Sequence, residues 1–304
     1  MRRLYDTFNR AYNRGMLQLG NWQFESVVNG TIRLDGGAMF GVVPKVLWSK
    51  SQNIDLKNRI LLATRTLIAR HLPTGRIVLV DTGTGSKWSD EEAERYGVES
   101  TPEAIDKALS AMDASASDVT DVIATHLHFD HCGGMVDWED AAGGSVRVRF
   151  ANAKHWVHRE HFNHACAPTL RDRASFLSVD FEWMGRDERA QFVEGISPTS
   201  DLADLKFELS HGHTPYQLLP VFDLGGGAEL FFVGDMAPTG AHILPAWVMA
   251  YDLFPLKSVD ERVALVNRCK EHDTIIAFPH DVRRGIVRLD VTGKKPKVGE
   301  VLCP

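Results

Sequence analysis

Thr125-His126-Leu127-His128-Phe129-Asp130-His131-Cys132-Gly133-Gly134 comes directly off the apolar run Val122-Ile123-Ala124. Alternate residues of an extended chain point to the same side, so His126 and His128 can present their imidazoles to one point while Leu127 turns to the core. The bend that follows, eased by Gly133 and Gly134, brings Asp130 and His131 to an adjacent point. Neutral imidazole and carboxylate are the donors that borderline divalent metals such as zinc prefer. Three histidines and one aspartate within six residues, at the exit of a buried strand, read as a metal site rather than as a polar strand end.

The flanking sequence predicts alternating strands and helices. Val27 to Leu34, Ile60 to Ala69, Ile77 to Val80 and Val119 to Ala124 read as strands, as do Val146 to Phe150 and Ile275 to Phe278. Leu218 to Phe222 and Leu230 to Val233 read as a hairpin closed by a Gly-rich turn. Ser89 with Glu92 forms a capping box, and Thr101-Pro102 opens a helix over Ala104 to Met112. Ser258 with Glu261 reads as a second capping box, at the head of a late helix. His155, His158, His161 and His164 recur every three residues in Lys154 to Ala165, which predicts the solvated face of a helix. Two successive αβ halves suit one layered domain over 1–304, with an N-terminal extension over about 1–22 and an insertion over about 166–200 that would cover a pocket.

The composition narrows the partners. A net charge of -6 argues against a surface built to gather phosphates, so nucleic acid is not expected. No apolar run reaches the roughly 18 residues of a membrane span, and the Arg-rich start lacks the apolar core of a secretory signal. The cysteines, Cys132, Cys166, Cys269 and Cys303, are scattered, which suits a reducing cytoplasm. A small-molecule substrate is expected. The first 20 or so residues and the loop Asp35 to Trp48 are candidates for a homodimer contact or a gate.

In its motifs the chain resembles the metallo-β-lactamase superfamily. The family's HxHxDH is matched by His126, His128, Asp130 and His131; its DTGxG by Asp81 to Gly85; its GHTP by Gly212 to Pro215; a strand ending in GD by Gly234-Asp235; and a strand ending in histidine by His280. The resemblance implies an α/β (α+β) fold, the four-layer αββα sandwich. It implies two divalent metal ions, zinc first, with iron or manganese as alternatives. His126, His128, His213 and Asp235 would hold one ion, and Asp130, His131, Asp235 and His280 the other, with Asp81 bracing the ligand histidines from behind.

The implied activity is hydrolysis by hydroxide held on the metal pair, with Asp130 as the catalytic carboxylate that orients it and moves its proton. Lactonases and esterases of the family make an ester or lactone the expected substrate. Here GHTPGH becomes Gly212-His213-Thr214-Pro215-Tyr216-Gln217, and no tyrosine closely follows Asp235. Tyr216 is read as a packed tyrosine, and His211 and Asp281 as neighbours of ligands. A phosphodiesterase remains open if Lys154, Arg159 or Arg283-Arg284 builds a basic pocket, as does an iron-dependent oxidoreductase.

Overall fold

Most of the predicted strands pair into two large sheets in a computed structural model that describes residues 16–140, 143–195, 202 and 204–304, while the one expected over Val146 to Phe150 pairs apart from both, with Val136–Trp138. Residues 1–15 of the expected N-terminal extension lie outside the described part, as do 196–201 and 203. In chain order the strands are β1 (Leu17–Leu19), β2 (Trp22–Asp35), β3 (Arg59–His71), β4 (Ile77–Val80), β5 (Glu99–Ser100), β6 (Asp121–Ile123), β7 (Val136–Trp138) and β8 (Val146–Val148). They continue with β9 (Lys154–His158), β10 (Ala190–Val193), β11 (Leu205–Ser210), β12 (Gln217–Gly225), β13 (Ala228–Phe232), β14 (Asp273–Ala277), β15 (Ile286–Asp290) and β16 (Lys297–Cys303). The first sheet runs β1-β2-β3-β4-β6-β9-β10 with β5 paired to β2, and the second runs β11 to β16 in sequence order.

Central strands carry apolar residues on both faces, as expected of strands covered on both sides. Along β4, Ile77 and Leu79 point to one core and Val78 and Val80 to the other. Along β13 and just beyond it, Leu230 and Phe232 alternate with Phe231 and Val233, and along β14 Ile275 and Ala277 alternate with Ile276 and Phe278. Val78, Val80, Ile123 and Trp156 of the first sheet thereby meet Phe222, Leu230, Phe232 and Ile275 of the second. The outer face of the first sheet is covered by the Glu103–Ala111 helix through Ile105, Ala108 and Leu109. That of the second is covered by the Pro255–Glu271 helix through Leu265. The layers are helix, sheet, sheet, helix, each fully buried Phe or Leu between them contributing about 1.5–3 kcal/mol.

Three local expectations are corrected. The late helix begins at Pro255, not at Ser258, because proline at the first helical position needs no hydrogen-bond partner. Glu261 therefore caps nothing and instead accepts bonds from Ser210 Oγ and the amides of His211 and Gly212. The histidine-rich stretch is not one solvated helix: Lys154–His158 is β9, and only Arg159–Cys166 is helical. His155 and His158 are buried because β9 lies between β6 and β10, and His161 is buried on the helix that follows. The loop after Asp35 is a short helix, Gly36–Phe40, capped by the Asp35 side chain, and it buries Met39, Phe40 and Trp48 while Val42 and Val46 stay exposed.

That segment is pinned by a second buried histidine pocket. His242 stacks on Phe40 at 4.9 Å, with Nε2 donating to the Met39 carbonyl and Nδ1 facing Thr239 Oγ1, each at 2.8 Å. Burial, reinforced by the Arg262 charge, lowers its pKa to about 4. Unfolded, the same ring takes up a proton near pH 6.5. The stabilisation from the neutral ring is therefore complete above about pH 6.5 and is lost as pH falls towards 4, with a slope of about 1.4 kcal/mol per pH unit. His242→Gln, which keeps a donor and an acceptor but cannot titrate, should flatten the fall in unfolding free energy between pH 6 and pH 4.5 by about that slope in urea titrations. An unchanged slope would show that His242 does not carry it.

Candidate metal centre

The ligand candidates sit where strands of both sheets run out. Backbone pairing of β6 ends with Ala124 donating to Trp156, after which His128 opens a single helical turn, Phe129–Cys132. His213 follows β11, Asp235 follows β13 and His280 follows β14. The turn is clasped by the 81–85 loop: Thr82 N donates to the His131 carbonyl at 2.7 Å and Gly134 N to the Gly83 carbonyl at 3.1 Å. The two backbones approach so closely that a Cβ on Gly85, which also has φ +64°, would collide with the Gly133 carbonyl. Gln217 accepts the Asp235 amide at 2.8 Å, and His280 is held to Ala63 through both its ring and its carbonyl.

These turns bring together three overlapping groups of donors: His126, His128 and His213; His126, His131 and Asp235; and Asp130, His131 and His280. His213 Nε2 lies 3.2 Å from His128 Nδ1 and 3.3 Å from Asp235 Oδ2. His280 Nε2 lies 3.0 Å from His131 Nε2, 3.2 Å from Asp235 Oδ1 and 3.5 Å from Asp130 Oδ2. Ligands about 2.0–2.1 Å from a tetrahedral ion stand roughly 3.3–3.4 Å apart, so the spacing fits donors gathered around a cation. His126 Nε2 and Asp235 Oδ1 are buried with no hydrogen-bond partner, a costly state for polar atoms unless a cation satisfies them. By donor type and spacing, the residues fit divalent metal.

The electrostatics agree. Burial, aided by the neighbouring histidines, drives the pKa values of His126 and His128 well down, so both offer free lone pairs. For His131 burial works downward too, but the carboxylates of Asp235, Asp81 and Asp130 outweigh it and raise its pKa. Asp235 is held well below the usual carboxylate range: burial opposes ionisation, and His280, His131 and His213 overcome it. The cluster is a field that attracts positive charge.

Each ring is also oriented from behind. Asp81, buried and at φ +56°, accepts His131 Nδ1 at 2.8 Å, the Thr125 amide at 2.8 Å and Thr125 Oγ1 at 2.9 Å. Thr125 Oγ1 in turn faces His126 Nδ1 at 3.0 Å. Asp252 accepts His213 Nδ1 at 3.1 Å and is flanked by Arg262 at 3.6 Å. Asp252 and Gln217 were not visible as site residues in the sequence, because each lies in a different segment from the motif it supports. His211 points away, accepting the Tyr216 amide, and Asp281 is occupied by Arg284 and the Gly240 amide. Tyr216 stacks on His158 at 4.8 Å but stays exposed, so it is not the packed ring expected. Asp81→Ala should leave the fold intact and weaken metal retention about 10 to 100-fold, read by competition with a chelator, because partners of ligand rings typically contribute that much. Retention at the wild-type level would remove Asp81 from this role.

Among the described residues no helix is long and apolar enough to cross a membrane. The family model described as the metallo-beta-lactamase superfamily matches residues 66–280. Over 95% of this chain and 99% of the other, the structure is similar to a "probable metal-dependent hydrolase from Staphylococcus aureus", with a TM-score of 0.83 and 26% identity. It is also similar to AidC, a dizinc quorum-quenching lactonase, with a TM-score of 0.73 and 18% identity over 94% of this chain and 96% of that one. A further match is AbOPH, a hydrolase in the beta lactamase superfamily, at a TM-score of 0.74 and 18% identity over 93% and 95% of the two chains. With the family match spanning most of the chain and the donor groups in place, this protein belongs to the metallo-beta-lactamase superfamily and is a metallo-hydrolase.

Proposed function

We propose that the protein hydrolyses an ester or lactone of a small molecule with two divalent metal ions, zinc foremost. His126, His128, His213 and Asp235 hold one ion, and Asp130, His131, Asp235 and His280 the other. The observation that carries this reading is the meeting of both sets at Asp235, whose two oxygens face His213 on one side and His131 and His280 on the other. When bound, such ions supply Lewis acidity to a carbonyl oxygen and bring the pKa of water from about 15.7 towards 7.

The remaining work falls to the chain's own groups. Asp130 is the least buried of the cluster's carboxylates and stands 3.5 Å from His280 Nε2. There it accepts a proton from the attacking water and hands it to the leaving oxygen. Phe176 packs on His128 at 4.7 Å and Trp88 on Phe129 at 5.2 Å, so aromatic rings exclude water on that flank. A cavity of about 400 Å³ that shares Trp88 and Phe176 with this flank is lined also by Trp138, Leu177 and Val179 and by the polar Thr84, Glu92, Ser178 and Asp180. Its one lysine, Lys87, is buried against Asp180 at 3.1 Å and donates to the Gly133 and Val136 carbonyls. Arg159 lies over Phe192, Lys154 over Trp156, and Arg284 on Asp281, contacts that speak against a phosphate pocket built from these three. An uncharged ester suits such surroundings better than a phosphodiester.

Elemental analysis of protein purified without added metal should give about two equivalents of zinc or a similar ion, with turnover of a lactone or aryl ester. A single iron without hydrolysis, or turnover of phosphodiesters alone, would overturn the proposal. Asp130→Asn should keep the fold and bind at least one metal while losing most hydrolytic turnover. Undiminished turnover would exclude Asp130 from proton transfer.

A further inference from the structure

His161 belongs to neither set of proposed ligands, yet its imidazole is fully buried beside them, on the Arg159–Cys166 helix. Its Nε2 lies 2.8 Å from the Leu127 amide nitrogen, and its Nδ1 lies 2.8 Å from the Pro215 carbonyl oxygen. An amide can only donate and a carbonyl can only accept, so the ring is neutral, with its proton on Nδ1 and its lone pair on Nε2. Leu127 is the residue between His126 and His128, and Pro215 stands two residues beyond His213.

The position of these two bonds gives them a meaning beyond satisfying buried groups. Pairing of the His126 segment with β9 stops at Ala124, which donates to Trp156, and the Thr125 carbonyl then accepts the Leu218 amide of β12 at 2.7 Å. From there the amides on either side of His126 are held by side chains instead: Thr125 N by Asp81 and Leu127 N by His161. On its other edge His161 holds the Thr214-Pro215-Tyr216 turn, where Tyr216 takes φ +57° and the chain reverses just after His213. One ring thus spans 34 residues of sequence in one direction and 54 in the other to join the two segments that supply His126, His128 and His213.

We infer that His161 is a positioning residue for the metal centre, a neutral imidazole bonded on both edges that sets the separation of the His126–His128 segment from the His213 segment. This rests on the reading that those three histidines hold one metal ion. The ring itself touches no substrate. Its effect passes through the main chain to the angle at which the imidazoles converge.

The test compares His161→Phe with His161→Gln. Phenylalanine keeps a flat ring but offers neither bond. Glutamine's amide has an oxygen to accept from Leu127 and an N–H to donate to Pro215, at nearly the separation of the two ring nitrogens. Zinc affinity is measured by competition with a chelator, and ligand geometry from the visible absorption of the cobalt-loaded protein. His161→Phe should bind zinc about 10 to 100-fold more weakly, the scale of losing a group that orients ligands, and should change the cobalt spectrum; His161→Gln should restore both towards wild type. A Phe variant that melts earlier but binds zinc as wild type does, with an unchanged cobalt spectrum, would overturn the inference. Should the Phe variant fail to fold, nitrogen NMR of the zinc-loaded wild type decides: a proton on Nδ1 of His161 is expected, and one on Nε2 would refute the bonding pattern. Wild-type protein that takes up neither zinc nor cobalt would overturn the metal reading itself and this inference with it, whereas equal binding by wild type and the Phe variant would overturn only this inference.

Discussion

The arrangement of the site depends on a carboxylate that is neither exposed nor part of the histidine motif. Asp81 accepts three hydrogen bonds, from the Thr125 amide, the Thr125 hydroxyl and His131 Nδ1. Through Thr125 it also reaches His126. One side chain therefore fixes a histidine from each end of the HxHxDH stretch. It does so from a left-handed backbone, φ +56°, a conformation that costs a non-glycine residue of order 1 kcal/mol or more and persists where the surroundings over-determine it. Here the surroundings are the Asp81 amide bonded to Ile123, Thr82 bonded to His131 and Gly134 bonded to Gly83, a clasp that glycines permit by carrying no Cβ.

A second constraint follows from how the donors are distributed. His126, His128, Asp130 and His131 leave the first sheet, whereas His213, Asp235 and His280 leave the second. The distance between the halves of the site is set by backbone bonds that cross between the sheets, Leu218 N to the Thr125 carbonyl at 2.7 Å and Ala63 N to the His280 carbonyl at 3.1 Å, together with packing of the core between them. That core is aromatic and aliphatic, with Trp22 edge-on to Phe222 at 4.9 Å and Phe24 edge-on to Phe222 at 5.3 Å. Interiors packed at crystal-like density resist small displacements, and a binding constellation must hold its geometry within about 0.5 Å. The inter-sheet core is in this sense part of the site, and one of its residues, Leu218, is bonded directly to Thr125.

The sequence carried the layered architecture because its signals are local. Strands β4, β13 and β14 show their two-faced apolar runs directly, and Ser89 with Glu92 forms the capping box expected of it. The cluster His126, His128, Asp130 and His131 was legible for a related reason, since such donors crowded at a strand exit have few other uses, whereas His213, Asp235 and His280 stand alone in the sequence and were legible only through the motif order of the metallo-β-lactamase superfamily. What was not legible depends on partners distant in sequence. Asp252, Gln217 and Glu261 look like ordinary loop or helix residues until folding places them against His213, Asp235 and the Gly212 amide. The every-third histidines misled because helical spacing was assumed throughout. With His158 ending a strand and His161 opening a helix, the same spacing puts both rings inside.

The neighbourhood of the site also constrains what can react there. A phosphodiester or carboxylate substrate brings charge that must be met wherever it is taken out of water, and unmatched buried charge is strongly unfavourable. Lys87, the cation nearest the cavity wall, already compensates Asp180, whose carboxyl burial pushes up to about 6 despite that partner. Releasing Lys87 to a substrate would strand Asp180 and break the bonds to Gly133 and Val136 that steady the end of the metal-binding turn. The lysine therefore acts as a tie between the 81–88 loop, the metal-binding turn and the Ser178–Phe181 helix. What remains on that side is a wall shared between apolar residues, Trp88, Trp138, Phe176, Leu177 and Val179, and polar ones, Thr84, Glu92 and Ser178, so apolar burial at roughly 25 cal/mol per Å² can act over only part of it.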